Sequence, residues 1–286
     1  MATSSRIQTE PSFRWSDGEA RIDASLQLDA GHRQIHGWCA FLASIKDDDV
    51  LSRYRELMTP EEQRQEDRFH FPHDRHRCRV VRALVRTTLA RYCDVEPRDF
   101  VFSTNQYGKP AIANDSASAK GLTFNITHAH ELAILVVSRD VELGVDVEST
   151  RARRFPPDVA KSYFAPDEAA DVTEMSDELQ QHRMFEYWTL KESYIKARGM
   201  GLSIPLDQFS FARSRGGVVE MTTAPELEDN ALNWRFWQLE LRDEYLAALC
   251  ARRAGPAAPE LVFRDIVPLV SERPLDYDLL GASPAT

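Results

Sequence analysis

The segment that most constrains the fold is Leu132–Glu148, LAILVVSRDVELGVDVE, near the middle of a 286-residue chain. Its first half, LAILVVS, is apolar on both alternating faces and reads as a strand covered on both sides. Arg139–Glu142 reads as a turn and LGVDVE as the returning strand. Side chains alternate along a strand, so Val145 and Val147 face one way while Asp146 and Glu148 share the other face. Two carboxylates at i and i+2 repel each other unless a cation sits between them. A solvated strand face is the plain alternative. Against it stands the position, directly after a fully apolar strand in the middle of the chain.

A third carboxylate comes from Arg183–Ser203, RMFEYWTLKESYIKARGMGLS. On a helix, Phe185, Trp188 and Ile195 form one apolar stripe, and Tyr187, Leu190, Tyr194 and Ala197 form a second. Most of this helix is therefore expected to be covered by protein. Gly199 and Gly201 stop it, and Pro205 keeps it from resuming. Glu192 falls on the shoulder of the first stripe, with Lys196 one turn later. Two readings fit: an i,i+4 surface pair worth a few tenths of a kcal/mol, or a pinned carboxylate that needs a cation. Asp146, Glu148 and Glu192 together make a set of hard oxygen ligands without Cys or His, which suits Mg²⁺.

The motif GVDVE (Gly144–Glu148), followed some forty residues later by WTLKESYIKARGMGLSIPL (Trp188–Leu206), resembles the paired signature of the 4′-phosphopantetheinyl transferases. FSTNQYGKP (Phe102–Pro110) and FNITHAH (Phe124–His130) fit the same family in the same order. The closer resemblance is to the long, two-lobed, surfactin-synthetase-activating type that serves peptide and polyketide synthases. It runs from about His36 to Ala254.

The resemblance implies an α+β fold of two similar lobes related by a pseudo-two-fold axis, with the active site in the cleft. It divides the chain into a coenzyme A lobe (34–142) and a metal and catalytic lobe (143–254), with the boundary near Asp140–Leu143. Outside the resemblance, residues 1–33 are expected to form a loose extension or an appended strand, and 255–286 a tail or lid. The fused form implies a monomer. The implied reaction transfers 4′-phosphopantetheine from coenzyme A to a serine of an apo acyl or peptidyl carrier protein, with Mg²⁺ held by Asp146, Glu148 and Glu192. Thr127, His128 and Lys196 are implied at the coenzyme phosphates, and Gly108, Lys109 and Pro110 at its adenine and ribose. Glu168 matches the glutamate of an F-x-x-x-E motif near the metal, so the base is left between Glu192, Glu168 and a metal-bound water. One departure stands out. Where the family often carries Lys or Arg around Thr59–Phe69, this chain has Glu62 and Gln65, so either Arg64 or Arg68 substitutes from a neighbouring position or the 3′-phosphate is held differently.

Elsewhere, Thr59-Pro-Glu-Glu opens a helix with a capping hydroxyl, Pro at the first position and acids in the first turn. A helix over Arg75–Tyr92 places Val81, Leu84, Val85, Thr88 and Leu89 inward. Arg75, Arg79, Arg82 and Arg86 then read as a solvated face. Arg77 lies on the apolar side, as a phosphate ligand or as a snorkelling side chain. His70, His73 and His76 are evenly spaced, but Pro72 breaks any common helix face. Strands are expected at His36–Ser44, Phe100–Ser103, Phe209–Phe211 and Trp234–Leu241, with Tyr245–Ala251 as the last. Arg151-Ala-Arg-Arg is either a solvated loop or a docking edge for an acidic partner.

A net charge of −10 argues against general nucleic-acid binding. The four cysteines show no C-x-x-C spacing, as expected of reduced thiols in a cytoplasmic protein. No signal-peptide pattern opens the chain, and LAILVV is too short to cross a bilayer.

Overall fold

The computed structural model describes residues 26, 28, 34–152, 154–156, 158–214 and 216–284. The expected loose extension therefore lies outside the described residues, apart from Leu26 and Leu28. Leu28 is buried in a core, and the Leu26 amide donates to Arg91 O at 2.6 Å.

The first half of the chain runs β1 (Gln34–Phe41), α1 (Asp48–Glu56), α2 (Pro60–Asp67), α3 (Pro72–Leu89), β2 (Phe102–Thr104), β3 (Pro110–Ile112), β4 (Leu122–Ala129) and β5 (Leu132–Arg139). Then come β6 (Leu143–Ser149), α4 (Val159–Tyr163), α5 (Pro166–Thr173), α6 (Asp177–Arg198), β7 (Phe209–Arg213) and β8 (Val219–Thr223). The chain closes with β9 (Trp234–Leu241), β10 (Tyr245–Arg252), β11 (Glu260–Val267), β12 (Ser271–Pro274) and β13 (Asp278–Ala282). This is an α+β fold of two lobes. One sheet has the order β12-β11-β1-β5-β4 and the other β13-β9-β10-β6, while β2-β3 and β7-β8 are short ribbons.

The two sheets stack face to face with a long helix on each outer face. The apolar run of β5 shows why. Leu132, Ile134 and Val136 pack between the sheets, and Ala133, Leu135 and Val137 pack toward α3. All six are 0% exposed, and each branched aliphatic side chain so buried contributes about 2 kcal/mol. Between the sheets they meet Val145, Val147, Leu239, Leu241 and Leu249. On the far side, Phe185, Tyr194 and Ile195 of α6 cover Phe236, Leu246 and Ala248. A Cβ on Gly144 would lie 2.2 Å from Ser193 O and 2.3 Å from Ala197 N, so this glycine lets α6 lie directly on β6.

Three expectations need correction. First, β5 and β6 are not a hairpin. Both edges of β5 are taken by β1 and β4, so β6 crosses to the second sheet beside β10. The crossing is made at Asp140, whose φ is 57°, with its amide donating to Gly121 O at 2.7 Å. The edge strands β4 and β6 then meet across the seam, where Asn125 Oδ1 accepts from the Val145 amide at 2.9 Å.

Second, residues 255–284 of the expected tail are built into the sheets, and β10 is not the last strand. Strand β11 pairs in parallel with β1 from Gln34↔Glu260 to Cys39↔Asp265, β12 extends that sheet, and β13 pairs with β9. The Phe263 ring occupies the space over Gly37, where a Cβ would lie 2.4 Å from it. Prolines at 256, 259, 268 and 274 obscured the apolar run between them. Pro274 sits in the edge strand β12, where a missing donor costs little.

Third, the arginine row of α3 is not a solvated face, because α2 lies across it. The Arg79 guanidinium reaches Glu66, which is 0% exposed and also binds Arg55. Arg86 is buried and donates to Glu62 at 2.9 Å and to the carbonyls of Pro97 and Phe100 at 3.0 and 3.1 Å.

Candidate active site

Three elements converge at the seam between the sheets. Strand β6 supplies Asp146 and Glu148, β4 supplies Thr127 and His128, and α6 supplies Glu192 and Lys196. Alternation directs Val145 and Val147 into the core between the sheets, which leaves the two acids facing α6. The Lys196 ammonium donates to Asp146 Oδ1 at 2.6 Å and to the Thr127 hydroxyl at 3.0 Å. Thr127 donates to the same carboxylate oxygen at 3.3 Å. The other oxygen, Asp146 Oδ2, is buried and has no hydrogen-bond partner.

A cavity of about 440 Å³ opens here, and Arg77, His128, Asp146, Glu148 and Lys196 line it together with Phe69, Cys78 and Arg82. Arg77 turns a guanidinium nitrogen to Asp74 Oδ1 at 2.5 Å. Glu192 is half-buried beside the acids. Burial pushes its carboxyl above the usual range, the Asp146 charge pushes it further, and Lys196 partly offsets both. His128 keeps one side to solvent, but enclosure of the rest, with Arg77 and Lys196 nearby, lowers its pKa. It is therefore a neutral imidazole at pH 7.

Among the described residues, the one acidic trio whose ligand oxygens all lie within 4.8 Å of one another is Glu240, Asp243 and Asp278, away from this cavity. Asp146, Glu148 and Glu192 do not close to that spacing. Residues i and i+2 on a strand are about 6.6 Å apart, and Lys196 holds one oxygen of Asp146. The donor set nonetheless fits a hard divalent cation, because it is all carboxylate and Asp146 Oδ2 lacks a partner.

Other expected residues lie elsewhere. Lys109 is tied into the scaffold, its ammonium donating to Ala197 O at 2.7 Å and to Leu143 O at 3.1 Å. With Pro110 it lines a neighbouring cavity of about 360 Å³, and Gly108 turns the chain there with φ +88°. Arg68 is exposed at the end of α2, next to Phe69 at the cavity rim. Arg64 pairs with Glu61 at 2.5 Å.

Glu168 stands apart from the cavity. It is 1% exposed, its Oε2 lies 2.7 Å from Lys191 Nζ, and its two oxygens accept the amides of Ala165 and Phe211. Three of its roughly four acceptor positions are taken, so it braces α5, α6 and β7, and it is not among the residues that line the cavity. Burial moves Glu168 up and Lys191 down, and each partner's charge opposes the other's shift. Sequence reasoning passed over Lys191, although a lysine inside an apolar helix stripe signals such a pair. It also passed over Cys78 and placed Arg82 on a solvated face, whereas both line the cavity where α3 approaches β4.

A model of the 4′-phosphopantetheinyl transferase superfamily matches residues 142–250. A model described as 4′-phosphopantetheinyl transferase, N-terminal, matches residues 47–140. The 4′-phosphopantetheinyl transferase HetI of Nostoc sp. is 31% identical over 225 residues, which span 78% of this chain and 89% of HetI. The 4′-phosphopantetheinyl transferase Sfp of Bacillus subtilis is 32% identical over 208 residues, spanning 73% of this chain and 87% of Sfp. The chain belongs to the 4′-phosphopantetheinyl transferase superfamily. The L-aminoadipate-semialdehyde dehydrogenase-phosphopantetheinyl transferase of Mus musculus is a more distant relative, 27% identical over 206 residues and 68% of this chain. The two family models meet between residues 140 and 142, where this transferase crosses from the first sheet to the second. Among the described residues, no helix is long and apolar enough to cross a membrane.

Proposed function

We propose that this transferase moves the 4′-phosphopantetheine group of coenzyme A onto a serine hydroxyl of an apo acyl or peptidyl carrier protein and releases 3′,5′-adenosine bisphosphate. It would act as a cytoplasmic monomer. The observation that carries the reading is the meeting of Lys196, Thr127 and Asp146 within 3.3 Å at the seam. That meeting puts a cation, a hydroxyl and an under-satisfied carboxylate in one cavity.

Asp146, Glu148 and Glu192 would hold Mg²⁺, which would neutralise charge on the coenzyme's pyrophosphate. The remaining roles belong to the chain itself. Arg77 and Lys196 bring positive charge to the phosphates. The neutral His128 ring donates a hydrogen bond to them, and the Thr127 hydroxyl would turn its single proton from Asp146 to a phosphate oxygen. Glu192 accepts the proton of the carrier serine. The serine Oγ bonds to the β-phosphorus as the bond from that phosphorus to the bridging oxygen breaks, and adenosine bisphosphate carries off the electron pair. Positioning and charge neutralisation do most of the catalysis in phosphoryl transfer. Gly108, Lys109 and Pro110 would hold the adenosine end from their neighbouring turn, and the Arg151–Arg154 segment would meet an acidic carrier surface.

Two other readings, a different Mg²⁺-dependent enzyme acting on a pyrophosphate and a carrier-binding module without catalysis, separate in one experiment. Incubation with coenzyme A, Mg²⁺ and an apo carrier domain should add one phosphopantetheine mass to the carrier. Carrier binding without a mass gain would favour the module. Coenzyme turnover without carrier modification would favour the other enzyme.

A further inference from the structure

At the far end of the core between the sheets lies another cavity, of about 160 Å³, built from Arg235, Trp237, Ser138 and Ile35 with the turn that follows β10. Alternation along β9 puts Arg235 on the same face as Trp237, Leu239 and Leu241, all of which pack between the sheets. An apolar residue is expected there, yet the position holds an arginine that is 3% exposed. Its one hydrogen bond is to Pro256 O at 3.1 Å, and its Nε is buried without a partner. Arg252 and Arg253 line the same cavity, whereas no Asp or Glu among the described residues does; Arg253 is engaged by the chain, its Nε donating to Trp234 O at 3.0 Å. Arg252 pairs outward with Glu142 at 3.3 Å. A buried cation without a counter-charge is costly. Small side chains around it, Ala251, Ala254 and Gly255 among them, leave room for one.

We infer that this cavity is a binding site for a small tetrahedral oxyanion of the phosphate class, held by Arg235 and separate from the catalytic cavity. Its volume admits a free oxyanion and excludes a nucleotide or coenzyme.

The test titrates inorganic phosphate into the full chain in phosphate-free buffer, with coenzyme A at saturation to fill the catalytic cavity. The thermal midpoint and the ³¹P line width are followed. The wild type should show a saturable rise in midpoint and a broadened phosphate line. Both should disappear in Arg235→Met, while carrier modification stays within about two-fold of wild type. A wild type indifferent to phosphate would overturn the inference, since ordinary water would then satisfy Arg235. An equal response in wild type and Arg235→Met would overturn it too, by placing the anion elsewhere. Should Arg235→Met fold poorly, Arg235→Gln serves in its place: a weakened response supports the site, and an unchanged one contradicts it.

Discussion

The Lys196 ammonium lies 2.6 Å from Asp146 Oδ1, so a single cation on α6 holds the acidic strand β6 and, through Thr127, the edge strand β4. The contact is both a brace across the seam and a store of positive charge at the cavity. Lys196→Ala should therefore lower kcat/KM for carrier modification by on the order of 10²-fold, the scale of losing one well-placed stabilising group. Unchanged kinetics in that variant would remove Lys196 from the mechanism.

Gly144 sets how closely α6 approaches β6. A Cβ there would press into helix backbone at 2.2–2.3 Å, and backbone cannot rotate away. Gly144→Ala should cost about 1–3 kcal/mol by overpacking. It should also reduce transfer by shifting Glu192 and Lys196 away from Asp146. Urea unfolding and a transfer assay on the same preparation check both, and an unaffected variant would show that the helix has slack.

The Glu168–Lys191 pair separates bracing from catalysis. Lys191→Met leaves a buried carboxylate uncompensated and should destabilise the fold by about 3–5 kcal/mol. Glu168→Gln should lose stability too, yet keep transfer per folded molecule within a few-fold. A folded Glu168→Gln protein that binds coenzyme A but has lost all transfer would restore Glu168 as the base.

Acid sensitivity should trace partly to His36. Its ring lies 2.7 Å from the Tyr92 hydroxyl in the first core. Burial, then the charges of Arg264 and Arg91, lower its pKa from 6.5 to about 4. The unfolded chain therefore takes up a proton below pH 6.5 that the folded one refuses until about pH 4. Stability is full above 6.5 and is lost as pH falls between those values, by up to about 3 kcal/mol. His36→Gln should flatten that part of the stability curve relative to wild type. Parallel curves would assign the acid loss to other groups.

How much of this was legible in the sequence depends on the range of the interactions involved. The apolar alternation of Leu132–Ser138 and the burial of both stripes of α6 follow from local pattern alone, as does the helix stop at Gly199, whose φ is 65°. The capping box of Thr59 and Glu62 is equally local. What pattern could not give was pairing between distant segments. The parallel match of β11 to β1 joins residues 226 apart, and no local signal announces it. Nor does α3 reveal that α2 will cover its arginines. The site divides in the same way. Asp146 and Glu148 share a face by alternation, whereas the Lys196–Asp146 contact and the withdrawal of Glu168 into an ion pair exist only once the helix is laid on the strand.

The central claim is that the acids and the lysine of β6 and α6, with Thr127 and His128 of β4 across the seam, form one phosphoryl-transfer site. Its most direct test is the mass of an apo carrier domain after incubation with coenzyme A and the protein, with and without Mg²⁺, for wild type, Asp146→Ala and Glu192→Gln. One added phosphopantetheine with wild type and Mg²⁺, and none with either folded variant or without the ion, is the predicted result. Full modification by either variant, or in the absence of divalent cation, would contradict it.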